Sequence, residues 1–181
     1  MLKALVKRCK PLPKGSKLLI LGGGFTGQHV AGLFRALGTE VLCSRRKQNS
    51  VGADLVFDST NLSIPSQNYF EGITHVLSCI PPEANGEDPV LKNLFGQINA
   101  IKPLWIGYLS TTGVYGDCKG EWVTESDNPK PKQQRSIRRL ACENAWLESG
   151  LPTQILRLPG IYGPGRSALE AINKEGTKII D

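Results

Sequence analysis

The stretch Lys17 to Gly27, KLLILGGGFTG, limits the possible folds more than any other part of the chain. Its first half is a short, continuous apolar run, as a strand requires when both of its faces are covered. Gly22, Gly24 and Gly27 follow as a G-x-G-x-x-G, and beyond Phe25 apolar residues recur at Val30, Leu33, Phe34 and Leu37. That recurrence has the helical period. A strand passing through a glycine turn directly into a helix is the opening unit of a parallel sheet.

The alternation continues down the chain. EVLCS (40–44), ADLVFD (53–58), THVLSCI (74–80), LWIGYLS (104–110) and TQILRL (153–158) are five more strand-like runs, with helical candidates at Pro89 to Ile101 and Gln133 to Ser149. Apolar strands alternating with helices predict an α/β fold, a Rossmann-type doubly wound parallel sheet with helices on both faces. Right-handed crossovers and a reversal after the third strand predict the order 3-2-1-4-5-6. At 181 residues the chain suits one domain over residues 17–181, preceded by a basic leader, residues 1–16, that Pro11, Pro13 and Gly15 mark as loose.

Composition narrows the partners. A net charge of +6 admits an anionic one: nucleic acid, a membrane surface or a phosphorylated cofactor. The five cysteines are scattered with no Cys-x-x-Cys pair, which argues against a metal site or a disulfide framework and for a reducing compartment. Within the leader, Ala4 to Val6 is too short for a signal peptide, and no segment reaches the length of a membrane span, so a cytoplasmic protein is expected.

At a G-x-G-x-x-G opening a helix, the first glycine permits the tight turn and the second lets backbone approach a pyrophosphate. The third allows close helix–strand packing, while free amides at the helix N-terminus face the anion. Gly22, Gly24 and Gly27, with Phe25 and Thr26 between them, are therefore expected to hold a dinucleotide. In that geometry the end of the second strand meets the adenosine ribose. A carboxylate there would bind both ribose hydroxyls, whereas this chain has Ser44, Arg45 and Arg46. Guanidinium matches phosphate with two parallel hydrogen bonds, so these residues predict NADP rather than NAD. Asp58, after the third strand, is a candidate acceptor for the adenine amino group, or else a turn aspartate.

Two later segments carry a resemblance. LSTTGVYGD (109–117) and LPTQILRLPGIYGPGR (151–166) resemble the fifth-strand and sixth-strand motifs of the NAD-dependent epimerase/dehydratase superfamily, the extended and atypical short-chain dehydrogenases/reductases. With the glycine turn, the similarity covers roughly residues 17–175 in one consistent order. The resemblance implies that Thr111 takes the place of the family's Ser/Thr that binds the reacting hydroxyl or carbonyl. It also implies a nucleotide-sugar or small carbonyl substrate, and a homodimer built from two long helices.

The chain departs from that family in three places. Leu21 stands where the extended glycine motif begins, as in atypical members. Counting back from Glu143, the Tyr and Lys of the family's Tyr-x-x-x-Lys fall on Arg135 and Arg139. Arginine stays protonated at ordinary pH, so Arg135 cannot serve as acid/base, although Arg139 retains donors for ribose hydroxyls. The chain also stops at Asp181, where family members continue into a substrate domain, so that domain is expected to be missing or truncated. Tyr115 is the nearest phenol and the only candidate for a displaced acid, against the plainer reading of a packed strand-end aromatic.

Two functions follow from these expectations: an NADP(H)-binding protein with a degenerate catalytic motif, or an active NADP-dependent oxidoreductase, epimerase or dehydratase using a displaced acid/base. The basic run Lys130, Lys132, Arg135, Arg138 and Arg139 has no interleaved aromatics, so a nucleic-acid partner is not expected, nor is a membrane.

Overall fold

The computed structural model describes residues 2–167. Six strands form one parallel sheet: β1 (Lys17–Leu21), β2 (Glu40–Arg45), β3 (Leu55–Val56), β4 (His75–Ser78), β5 (Trp105–Thr111) and β6 (Thr153–Leu158). Their order is β3-β2-β1-β4-β5-β6, the doubly wound arrangement the sequence predicts. The helices are α1 (Leu2–Arg8), α2 (Phe25–Ala36), α3 (Pro89–Ala100) and α4 (Gln134–Glu148). Residues 168–175 of the resemblance, and the end of the 17–181 domain, lie outside the described residues.

Strand β1 shows why its sequence is apolar throughout. Successive side chains point to opposite faces, and here both faces are covered. Leu19 and Leu21 join a core with Val76, Tyr108 and the α3 residues Val90, Leu94 and Ile98, whereas Leu18 and Ile20 pack with Ala31, Val41 and Leu77 under α2. Burying each of these aliphatic side chains contributes about 1.5–3 kcal/mol. Helix α3 starts where Asp88 Oδ1 accepts from the backbone N–H of Val90 and Leu91, each at 2.9 Å, with Pro89 at the first helical position. Asp88 Oδ2 also accepts from Trp146 Nε1 at 3.0 Å, tying α3 to α4.

Two expectations change. The leader is less loose than its prolines suggest, because its first residues form α1 and Leu12 packs against the α2-side core. The third strand is also shorter than ADLVFD. Only Leu55 and Val56 pair with β2, and Asp58 bridges Ser63 instead. Asp54, just before β3, still donates its N–H to Cys43 O at 2.9 Å, and its carboxylate accepts from the Cys43 N–H at 2.8 Å and from Arg35 Nη2 at 2.5 Å.

Candidate functional site: the cleft at the strand ends

The carboxyl ends of β1, β2, β4, β5 and β6 open onto one cleft of about 1010 Å³. A ligand is expected where strand order reverses, and here that point lies between β1 and β4. Five cations line the cleft (Arg45, Arg46, Lys47, Arg139 and Arg166) against two carboxylates, Asp58 and Glu83. That excess suits an anionic ligand.

The glycine turn has the geometry its sequence implies. Gly22 takes φ +98°, a left-handed conformation that favours glycine. A side chain at Gly27 would collide with the Gly22 carbonyl oxygen, so α2 can approach the turn this closely only without one. At Gly24, by contrast, a Cβ would meet nothing within 4 Å, because that position faces the open cleft.

The end of β2 is fastened to this turn. Ser44 is buried, its carbonyl accepts from Gly23 N at 2.7 Å, and its hydroxyl accepts from Gly22 N at 2.9 Å. The hydroxyl expected to meet a ribose phosphate thus shapes the glycine turn. Arg45 likewise folds back, its Nη1 donating to the Gly23 carbonyl, while its buried Nε has no partner. Arg46 and Lys47, both exposed, project from the loop that follows. Gln28 Nε2 anchors that loop to α2 by donating to Gly52 O at 3.1 Å.

Asp58 lines the cleft, but both its oxygens serve its own turn. Thr60 N donates at 3.1 Å, Thr60 Oγ1 at 2.6 Å and Asn61 Nδ2 at 2.7 Å. The Thr60 and Asn61 side-chain donors hold its carboxyl below the ordinary aspartate range. Of its two sequence readings, the geometry matches the turn aspartate.

On the far side of the switch point, α4 sends Arg139 into the cleft. Its Nη1 lies 3.0 Å from Tyr108 Oη, 3.1 Å from Leu109 O and 3.3 Å from Ile80 O, and its guanidinium stacks on the Tyr108 ring at 5.5 Å. The side chain therefore bridges the ends of β4 and β5. Burial drives the Tyr108 phenol far above its ordinary pKa, although Arg139 opposes the shift, so Tyr108 stays neutral. Arg135 is exposed and donates to Gln133 Oε1 at 2.9 Å, away from the cleft lining.

Every residue the sequence nominated for the cofactor lines this one cleft: Gly22, Gly24, Phe25, Thr26, Gly27, Ser44, Arg45, Arg46, Asp58 and Arg139. The two nominated for catalysis do not. Thr111 Oγ1 accepts from Gly113 N at 3.1 Å, in the turn that ends β5. Tyr115 is 8% exposed, and its hydroxyl accepts from Arg157 Nη1 at 2.9 Å with that guanidinium 4.8 Å above its ring. Sequence reasoning missed Lys47, Ser110 and Arg166. The Arg166 signal was present in GIYGPGR, read there only as a family motif. In the fold this segment reaches back to the glycine turn and stacks Arg166 on Phe25 at 5.4 Å.

Among the described residues no His/Cys/Asp/Glu cluster could hold a metal, and no helix is long and apolar enough to cross a membrane. No protein-family model matches the sequence, and none of the curated proteins compared with it does. Solved structures do match. A conserved protein of unknown function from Silicibacter pomeroyi is 34% identical over 90% of this chain at TM-score 0.78, and the chain spans 58% of that protein's length. A Methylobacillus flagellatus protein provisionally assigned as an NAD-dependent epimerase/dehydratase is 28% identical over 83% of this chain and 56% of its own, at TM-score 0.69. The UDP-glucuronic acid 4-epimerase of Bacillus cereus, solved with NAD, is 21% identical over 81% of this chain and 57% of its own, at TM-score 0.63. By fold and by these neighbours, the chain is a relative of the NAD-dependent epimerase/dehydratase superfamily.

Proposed function

We propose that this chain binds NADP(H) in the strand-end cleft and does not itself turn over nucleotide-sugars. One observation carries the reading: the cleft joins an open glycine turn to exposed cations at the end of β2, whereas Thr111 and Tyr115, the two residues nominated for catalysis, lie outside its lining. The buried Arg45 Nε without a partner fits the same view, since a phosphate oxygen would supply the missing acceptor.

A bound nicotinamide dinucleotide would supply hydride transfer. The chain's own residues supply binding. Amides at the start of α2 face the pyrophosphate, and Gly24 leaves room for it. Arg46 and Lys47, exposed at the cleft, would hold a 2′-phosphate, with Arg45 bracing the turn beneath. Arg139, whose Nε and Nη2 have no protein partner among the described residues, offers donors to the nicotinamide ribose. Proton transfer is what the residues nominated for catalysis do not supply in this cleft. Exchange of hydride with a carbon–oxygen bond requires a proton to move, and a positioned group contributes about 10²–10⁴-fold to such steps. Arginine side chains such as Arg135 and Arg139 only donate hydrogen bonds, Tyr108 is neutral and buried, and Tyr115 is held by Arg157.

The alternative is an active enzyme on a nucleotide-sugar or small carbonyl, supported by the structural neighbours. An assay separates the two: NADPH absorbance is followed over a panel of nucleotide-sugars and simple carbonyl compounds. Binding without turnover is expected. Robust turnover that disappears in Tyr115→Phe would overturn this reading and make Tyr115 the acid.

A further inference from the structure

Ser110, the penultimate residue of β5, lines the cleft but is only 6% exposed. Its hydroxyl donates to Glu143 Oε1. Glu143 is 1% exposed and ion-paired with Arg157, whose Nη2 lies 2.7 Å from Oε2 and whose Nε lies 3.2 Å from each oxygen. An ionised carboxylate can only accept hydrogen bonds, so the single Ser110 proton is committed to the protein interior. What Ser110 turns toward the cleft is lone pairs. That part of the cleft therefore selects a hydrogen-bond donor.

Its position says which part of the ligand is involved. The glycine turn and the end of β2 take up the pyrophosphate and the adenosine half, leaving the ends of β4, β5 and β6 for the other half. Cys79, Ile80, Pro81, Glu83, Leu109, Arg139 and Leu158 line the cleft on that side with Ser110. Leucine, isoleucine and proline side chains offer no polar atom, and Arg139 only donates. The oxygen acceptors among the side chains lining that side are Ser110 and Glu83, and of the two it is Ser110 whose hydroxyl direction is fixed by a buried partner.

Building on the NADP(H) reading above, we propose that Ser110 binds the nicotinamide nucleoside by accepting a hydrogen bond from one of its donors, the carboxamide NH₂ or a ribose hydroxyl. The buried Glu143–Arg157 pair acts through Ser110 by fixing which way its hydroxyl points. A serine whose proton were free to rotate would accept or donate equally. This one discriminates, so the neutral amide donor or a hydroxyl is bound while a ligand offering only acceptors at that point is not.

The test uses three probes on the full chain: NADP⁺, 2′-phospho-ADP-ribose, which lacks the carboxamide, and 2′-phospho-ADP, which lacks the distal ribose as well. In Ser110→Ala, NADP⁺ is expected to bind roughly fivefold to tenfold more weakly, the worth of one neutral hydrogen bond. A loss confined to NADP⁺ assigns the carboxamide. A loss shared by NADP⁺ and 2′-phospho-ADP-ribose, but not by 2′-phospho-ADP, assigns the ribose. Equal losses for all three, or no loss, overturn the proposal. Ser110→Cys provides a second variant that nearly keeps the volume while offering sulfur, a weak acceptor, and the same pattern is expected of it. Failure of the wild-type chain to bind any of the three probes would instead reject the NADP(H) reading itself.

Discussion

The two halves of the cleft are built from similar residues put to different uses. On the β2 side, arginine and lysine project from a loop whose base is anchored, and two of them, Arg46 and Lys47, are exposed with no ion pair among the described residues. On the β5–β6 side, the arginines are anchored to the protein, although Arg139 does so through Nη1 alone. Arg139 spans three acceptors, and Arg157 neutralises a buried glutamate while capping Tyr115. Cations left free bind anions, whereas cations tied to carbonyls and carboxylates hold a fold. On the reading proposed above, the open side of the cleft serves recognition, and the side chains nominated for catalysis serve the fold.

The largest expected effect comes from the turn between the halves. Gly24→Val should abolish dinucleotide binding yet leave the fold intact, since a side chain at Gly24 points into open cleft. Gly27→Ala should do the reverse and lower the melting temperature, because its Cβ meets the Gly22 carbonyl. Paired titration and melting curves check both; a Gly24→Val variant that binds normally removes the cofactor from this turn.

Next comes the structural half. Removing one partner of a buried ion pair costs about 3–5 kcal/mol, so Glu143→Ala should lower the melting temperature by on the order of 10 °C. Little change would mean that the Glu143–Arg157 pair is not what holds β6 to α4.

A smaller effect is expected on the recognition half. Replacing Arg46 and Lys47 together by alanine should cut the preference for NADPH over NADH by about tenfold or more, with little change for NADH. Arg45→Ala should weaken both cofactors alike, because Arg45 braces the glycine turn. Equal loss for both cofactors in the first variant would break the division of labour between Arg45 and its neighbours.

The last effect is the smallest and depends on pH. The Asp58 carboxyl is depressed by its Thr60 and Asn61 donors, so its contribution to stability is complete above the ordinary aspartate pKa and is lost as pH falls through the lowered value. Wild type should melt above Asp58→Ala by a constant margin from pH 7 to about 5, and the margin should shrink below about pH 4. A margin that persists at pH 2, or closes by pH 6, contradicts that account of the turn.

Much of this fold is legible from the sequence because periodicity reports burial. Apolar spacing placed α2, α3 and α4 to within a residue or two, and continuous apolar runs marked strands covered on both faces. Where a local polar bond competes, the pattern misleads. β3 spans only Leu55 and Val56 although Phe57 continues the apolar run and donates to Arg45 O at 2.9 Å, because from Asp58 onward the chain bonds its own turn through Thr60 and Asn61. The cleft lining was legible at the glycine turn and the β2 arginines, since those motifs carry their chemistry in spacing. The roles of Ser44, Ser110 and Glu143 were not. A serine within a strand carries no sign of its partner, and Ser110 meets Glu143 from 33 residues away.

The central claim is that the open cations at the end of β2 read a 2′-phosphate. Calorimetric titration of the same chain with NADPH and NADH at moderate salt tests it directly. NADPH is expected to bind about tenfold or more tightly than NADH, from charge-assisted contacts worth roughly 1.5–3 kcal/mol each. Equal affinities, or tighter binding of NADH, would contradict it.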